Sequence, residues 1–141
     1  MDDAERFESL LEVLDELREA NKTTPILVEG IRDVASLRAL GLTGEILPLN
    51  AGEPLFNRSE RIGGATREII LLTDWDHKGQ QLFDRMRAQL AANGVKSIVR
   101  FRDDLRHAIR PTLKDVESLA SYVKRGLARH RPATAERRDE W

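Results

Sequence analysis

The stretch Glu68-Ile69-Ile70-Leu71-Leu72-Thr73-Asp74-Trp75-Asp76-His77-Lys78-Gly79 decides the fold. Ile69 to Leu72 are apolar without alternation, so both faces of this strand are buried, as in a parallel sheet covered on both sides. The run stops at charged residues, and helical spacing takes over. Leu82, Phe83, Met86 and Leu90 share one face of a helix read from Gly79 to Ala92, and Asn93-Gly94 ends it.

The same alternation extends on either side. Ile26-Leu27-Val28 is a short apolar run that ends in Glu29-Gly30, and Val34, Leu37, Ala39 and Leu40 then return to helical periodicity. Glu45 to Leu49 reads as a second strand. Residues 53–66 are the least legible segment, with Ser59 a candidate cap for one helical turn and Gly63-Gly64 its end. Val95 to Phe101 reads as a last strand, running out into Arg102-Asp103-Asp104. At the amino terminus Phe7, Leu10, Leu11, Leu14 and Leu17 mark an amphipathic helix. Near the carboxyl terminus Thr112 to Asp115 resembles a capping box ahead of a helix carrying Val116, Leu119, Tyr122, Val123 and Leu127.

Strands alternating with helices at these spacings predict one three-layer α/β domain with a largely parallel sheet of about four strands. Its parts are an amino-terminal helix at 1–22, a core at 23–104, a helical extension at 105–130 and a tail at 131–141. At 141 residues, 40% hydrophobic and 33% charged, the chain is long enough to bury a core, and with no cysteine it has neither a thiol nucleophile nor a Cys-based metal site. No apolar run approaches the roughly 20 residues that span a bilayer. The acidic amino terminus is unlike a secretory signal, so the expected compartment is the cytoplasm, without membrane contact. The net charge of -1 hides an asymmetry, with eight acids against three bases in residues 1–22 and six bases against three acids in 124–141.

In an open parallel sheet ligands bind beyond the carboxyl ends of the strands. Glu29 leaves one such end, and Asp74 and Asp76 leave another. Carboxylates gathered there repel one another unless a cation or proton intervenes, and a set of oxygen ligands favours Mg²⁺, or Mn²⁺, over zinc or copper. Mg²⁺ commonly shares its coordination between protein carboxylates, water and phosphate oxygens, so the implied substrate is a phosphate ester. Arg32, Lys78, Arg100 and Arg102 are the candidate phosphate-binding bases. His77 is a candidate proton carrier in a polar turn, and Trp75 either stacks on a base or packs against the adjacent helix.

Read together, ILVEGIRDV and EIILLTDWDHKG resemble the Toprim family, the catalytic domain shared by topoisomerases, bacterial-type primases, ribonuclease M5 and some nucleases. The resemblance runs from about Pro25 to Phe101, with Glu29-Gly30 matching the family's first motif and Asp74-Trp75-Asp76-His77-Lys78-Gly79 its D-x-D-x-x-G. It implies a Rossmann-like domain in which Glu29 is general acid/base and Asp74 and Asp76 hold Mg²⁺. Asp33 matches an acid of the primase and ribonuclease M5 branches that helps hold metal, and Asp103 and Asp104 correspond to acids that some relatives carry after the last strand. Gly30 and Gly79 are the structural glycines. Trp75 replaces the usual proline or glycine, and Gln80 follows where many members have an acid. Zinc-binding and strand-passage domains are both missing, and Tyr122, in a predicted helix, is a poor nucleophile.

By size the chain resembles a stand-alone protein of the ribonuclease M5 kind. The implied activity is an RNA-processing or nicking endonuclease acting on RNA or DNA. The alternatives are a non-catalytic module that binds nucleic acid or a protein partner, and a haloacid-dehalogenase-like phosphatase. The mid-chain position of the D-x-D and the DWDHK that replaces D-x-D-x-T count against the phosphatase.

Overall fold

A computed structural model of the chain describes residues 1–49 and 52–130. Helix α1 (Asp3–Asn21) precedes β1 (Ile26–Val28), α2 (Ile31–Ala39), β2 (Ile46–Pro48), α3 (Leu55–Ala65), β3 (Glu68–Leu71), α4 (His77–Ala92), β4 (Lys96–Ile98) and α5 (Arg100–Ala108). A 3-10 turn (Val116–Ser118) then leads into α6 (Leu119–His130). The four strands form one sheet in the order β2-β1-β3-β4, and every pair is parallel. The α/β class, the layering and the strand number agree with the sequence reading.

Strand side chains alternate between two hydrophobic layers, as the pleat requires. Ile26, Val28, Ile46, Ile70 and Leu72 face a core completed by α1, α2, α5 and α6 through residues such as Leu10, Leu14, Leu37, Phe101, Leu105 and Leu119. Leu27, Ile69 and Leu71 face the opposite way, onto Ile62 of α3 and Phe83, Met86 and Leu90 of α4. Helix α2 therefore covers one face and α4 the other. The chain leaves β1 toward β2 on one side and β3 toward β4 on the other, so the topological switch point of the sheet lies between β1 and β3. The exposed edge of β2 is blunted: Pro48 has no N–H to offer, and its carbonyl accepts a 2.7 Å bond from Arg58 Nη2.

Three local readings are corrected. The segment 53–66 holds an eleven-residue helix, α3, that contains Gly63 and Gly64 rather than ending at them, and Ser59 is not its cap but donates from within the helix to the Phe56 carbonyl. Gly63 is needed there because a Cβ would press on the Asn93 backbone at 2.8 Å. The last strand stops at Ile98, and Arg100 opens a helix, since the buried positions Phe101, Leu105 and Ala108 are spaced by four and three. In the carboxyl-terminal helical segment the cap is Asp115, whose side chain accepts from Ser118 N at 2.8 Å, not Thr112. The tail 131–141 lies outside the described residues.

Candidate active site

Glu29 and Asp74 follow adjacent parallel strands and meet at the switch point. Glu29 Oε2 accepts a 2.7 Å hydrogen bond from the Asp74 backbone N–H, tying the two strand ends together. Asp76 caps α4, with Oδ1 accepting from Gly79 N at 2.7 Å. Asp33 lies in the first turn of α2, buried, with Oδ2 accepting from Gly30 N at 3.0 Å.

A segment that the sequence reading did not associate with the site crosses over it. Residues 110–118 bring Lys114 O to 2.8 Å from Trp75 N and Val116 N to 2.9 Å from Asp74 Oδ1. Two carboxylates are strongly perturbed in this setting. Burial pushes Asp33 up to about 6, the negative charge of Asp74 adding to it against the Gly30 hydrogen bond. Burial also pushes Asp74 up to about 6; the Val116 N–H opposes this, and the charges of Glu29, Asp115 and Asp76 reinforce it. Mutual repulsion of this kind means that the acids lie within electrostatic reach of one another at one crevice.

Arg102 is the main correction among the site residues. The sequence pattern makes it a phosphate ligand beyond a strand, yet it is only 2% exposed and is spent on the protein. Its Nε donates to Thr73 O at 3.1 Å, Nη2 to Asp74 O at 2.7 Å and Nη1 to Gln80 Oε1 at 3.1 Å, while the guanidinium lies 4.7 Å from the centre of the Phe83 ring. Burial holds its pKa below the ordinary arginine value. The Arg102 carbonyl in turn accepts from Trp75 Nε1 at 3.0 Å. Arg102 and Trp75 thus clamp the D-x-D loop from beneath, and Trp75, 7% exposed and part of the core, is not a stacking platform. Gln80, which stands where many Toprim members have an acid, is a partner of this clamp.

The other bases are dispersed. Arg32 is exposed and pairs with Glu117 at 3.6 Å. Lys78 and His77 are exposed at the start of α4. Arg100 lies at the start of α5 rather than flanking a strand, and pairs with Glu16 of α1 at 3.6 Å and Asp104 at 3.7 Å. Asp103 is exposed on α5. The two glycines differ in their reasons. Gly79 approaches the D-x-D backbone so closely that a Cβ would come within 2.6 Å of the Asp74 carbonyl carbon, whereas around Gly30 there is open space. Asp115, absent from the predicted set, announces itself in the sequence only as a cap three residues before Ser118.

Glu29, Asp74 and Asp76 each commit one carboxylate oxygen to a backbone N–H, and the other has no protein partner among the described residues. Among those residues no three His, Asp or Glu side chains converge as a ready cage for a metal ion. The oxygens left over on Glu29, Asp74 and Asp76 are hard donors, of the kind Mg²⁺ takes from one or two carboxylates alongside water. No helix of the described residues is long and apolar enough to cross a membrane.

No family model matches the sequence. The chain is 39% identical over 121 residues to a UPF0292 protein of Methanosarcina barkeri, covering 85% of this chain and 84% of that one. It is 35% identical over 123 residues to a UPF0292 protein of Methanocaldococcus jannaschii, covering 87% and 96%. Among solved structures, a putative protein from Aquifex aeolicus superimposes with a TM-score of 0.66 at 25% identity, over 76% of this chain and 94% of that chain. With relatives this similar over most of both lengths, the chain belongs to the UPF0292 family.

Proposed function

We propose that the protein carries out metal-dependent phosphodiester chemistry on nucleic acid, as an endonuclease of the RNA-processing or nicking kind. One observation carries this reading: Glu29 is bonded to the Asp74 backbone at the switch point, where burial, reinforced by neighbouring acids, pushes Asp33 and Asp74 up to about 6. Acids crowded at a cost to stability, in the crevice where parallel sheets bind ligands, are what a cation-dependent site requires. The resemblance of the Glu29-Gly30 and D-x-D-x-x-G segments to the Toprim family supports the same reading.

Asp74 and Asp76 would hold the ion through the oxygens they leave free, with the buried Asp33 supporting them by charge or as a further ligand. Bound Mg²⁺ supplies charge stabilisation to the attacking and leaving oxygens of an in-line displacement. Glu29 keeps one oxygen on the Asp74 N–H, which fixes its orientation, and the other is free to take the proton of the attacking water and return one to the departing oxygen. Arg102, Trp75 and Gly79 hold the loop that sets these distances. Lys78 is the exposed base nearest in sequence to Asp76, and Arg32, in an exposed 3.6 Å pair with Glu117 that phosphate can displace, stands next to Asp33.

The test is cleavage of end-labelled structured RNA, single-stranded DNA and duplex DNA in Mg²⁺ or Mn²⁺. Wild type is expected to cut one of them, Asp76→Asn to lose the cut, and Glu29→Gln to lose turnover while still binding. Binding without cleavage by wild type would replace this reading with that of a non-catalytic nucleic-acid module.

A further inference from the structure

Behind the segment that crosses Asp74 lies a cavity of about 350 Å³ between α1 and α6. Arg110, Arg125 and Arg129 line it together with the hydroxyl-bearing Thr112, Ser118 and Tyr122. Among the described residues no acid lines it. Arg125 and Arg129 are one helical turn apart on α6, an arrangement that is repulsive by itself, and neither has an acidic partner among the described residues. Arg129 in the last turn is accounted for by the helix dipole, but Arg125 and Arg110 are not. Arg110 pairs with Asp3 at 2.7 Å, an exposed contact of the weak kind that an incoming phosphate can displace. Phe7 forms the floor, and Gly126 is there because a Cβ would overlap its ring, which seats α6 close against α1.

The cavity and the acids share one wall. Thr112, Leu113 and Ser118 line the cavity, while Lys114 and Val116 of the same short segment bond the D-x-D loop. An anion held there lies beside the crevice and outside it. Guanidinium and hydroxyl donors lining one cavity, with no carboxylate among its described lining residues, are the chemistry that recognises phosphate oxygens.

We propose that this cavity is a second contact for the substrate, taking a backbone phosphate of the nucleic acid away from the bond that is cut. The ligand is taken from the nucleic-acid reading above. The contact supplies the positioning that a small domain with scattered surface bases otherwise lacks, because phosphate contacts set register on a polymer.

The experiment measures binding of a fluorescein-labelled single-stranded RNA against salt, by anisotropy, in the Asp76→Asn background so that nothing is cut. Loss of one phosphate contact makes the slope of log K against log salt shallower by about 0.7. Raising salt fourfold then weakens the parent about 2.6-fold more than Arg125→Ala/Arg129→Ala. Arg125→Lys/Arg129→Lys is expected to restore the slope, and Arg85→Ala/Arg87→Ala on α4 to leave it unchanged. Equal slopes for the Arg125/Arg129 variant and its parent overturn the proposal, as does an equal loss in the Arg85/Arg87 variant. Its failure and that of the catalytic reading are separable: a wild type that cuts while the slope ignores Arg125 and Arg129 removes only the cavity. A slope that depends on them in a wild type that cuts nothing removes only the catalysis, and no binding to any RNA or DNA removes both.

Discussion

Replacing Asp74 with Asn should stabilise the protein at neutral and alkaline pH, although the residue sits at the centre of the site. Its Oδ1 accepts from Val116 N, and an Asn oxygen can accept the same bond. What disappears is a charge that the folded state disfavours, since burial and the carboxylates of Glu29, Asp115 and Asp76 push Asp74 from 3.8 up to about 6. The native state thus holds the proton more tightly than the unfolded chain. The stability this confers is fully present below about pH 4 and is lost as pH rises through about 6, beyond which the cost is constant. At about 1.4 kcal/mol per pH unit the difference amounts to about 3 kcal/mol, and partial solvent screening reduces it to about 1–2 kcal/mol. Asp33, whose own raised value owes part of its size to Asp74, relaxes at the same time and adds to the gain. Urea unfolding at pH 4 and pH 8 measures this directly. Asp74→Asn is expected to match wild type at pH 4 and exceed it at pH 8. A variant less stable than wild type at pH 8, or a difference identical at both values, would refute the electrostatic account of the site.

Three further outcomes follow from the packing around the D-x-D loop and α6. Gly79→Ala would drive a methyl into the Asp74 backbone, so it should cost about 1–3 kcal/mol in urea unfolding and reduce any metal-dependent activity; wild-type stability in the variant would contradict the close approach. Arg102→Met fills similar space but strips Thr73 O and Asp74 O of their buried donor, for a loss of about 2–4 kcal/mol in the same assay. A loss under about 0.5 kcal/mol, the range of an indifferent surface change, would mean that the clamp is not formed. Gly126→Ala forces the Phe7 ring aside, and a drop of about 1–3 kcal/mol with earlier melting of α6 is expected by circular dichroism. An unchanged melt would mean that α6 does not sit close on α1.

Much of this architecture could be read from residue order because its cause is local. A short run apolar on both faces and bounded by charges, such as Ile69 to Leu72, suits a covered parallel strand, and periods of three and four disclose α1, α2 and α4 without any knowledge of partners. Where local signals conflicted, the reading failed. Gly63-Gly64 looked like a helix end, but tertiary contact with Asn93 uses the missing side chain and carries α3 through it. Val95 to Phe101 reads as a strand running out into Arg102-Asp103-Asp104, because the helical spacing of Phe101, Leu105 and Ala108 is interrupted by charges.

The site divides in the same way. Residue order alone determined that Glu29, Asp74 and Asp76 stand at the carboxyl ends of buried strands, since that follows from where each apolar run stops. Only the tertiary structure decided that Arg102 is a buried clamp and not a phosphate ligand, and that the segment around Asp115 closes over Asp74. Those facts depend on contacts across 28 and 42 positions of chain, Arg102 to the Asp74 carbonyl and Val116 to the Asp74 carboxylate. Such pairs leave no periodic trace. Which polar group a buried carbonyl or carboxylate will find is set by how whole layers come together, after local spacing has finished its work.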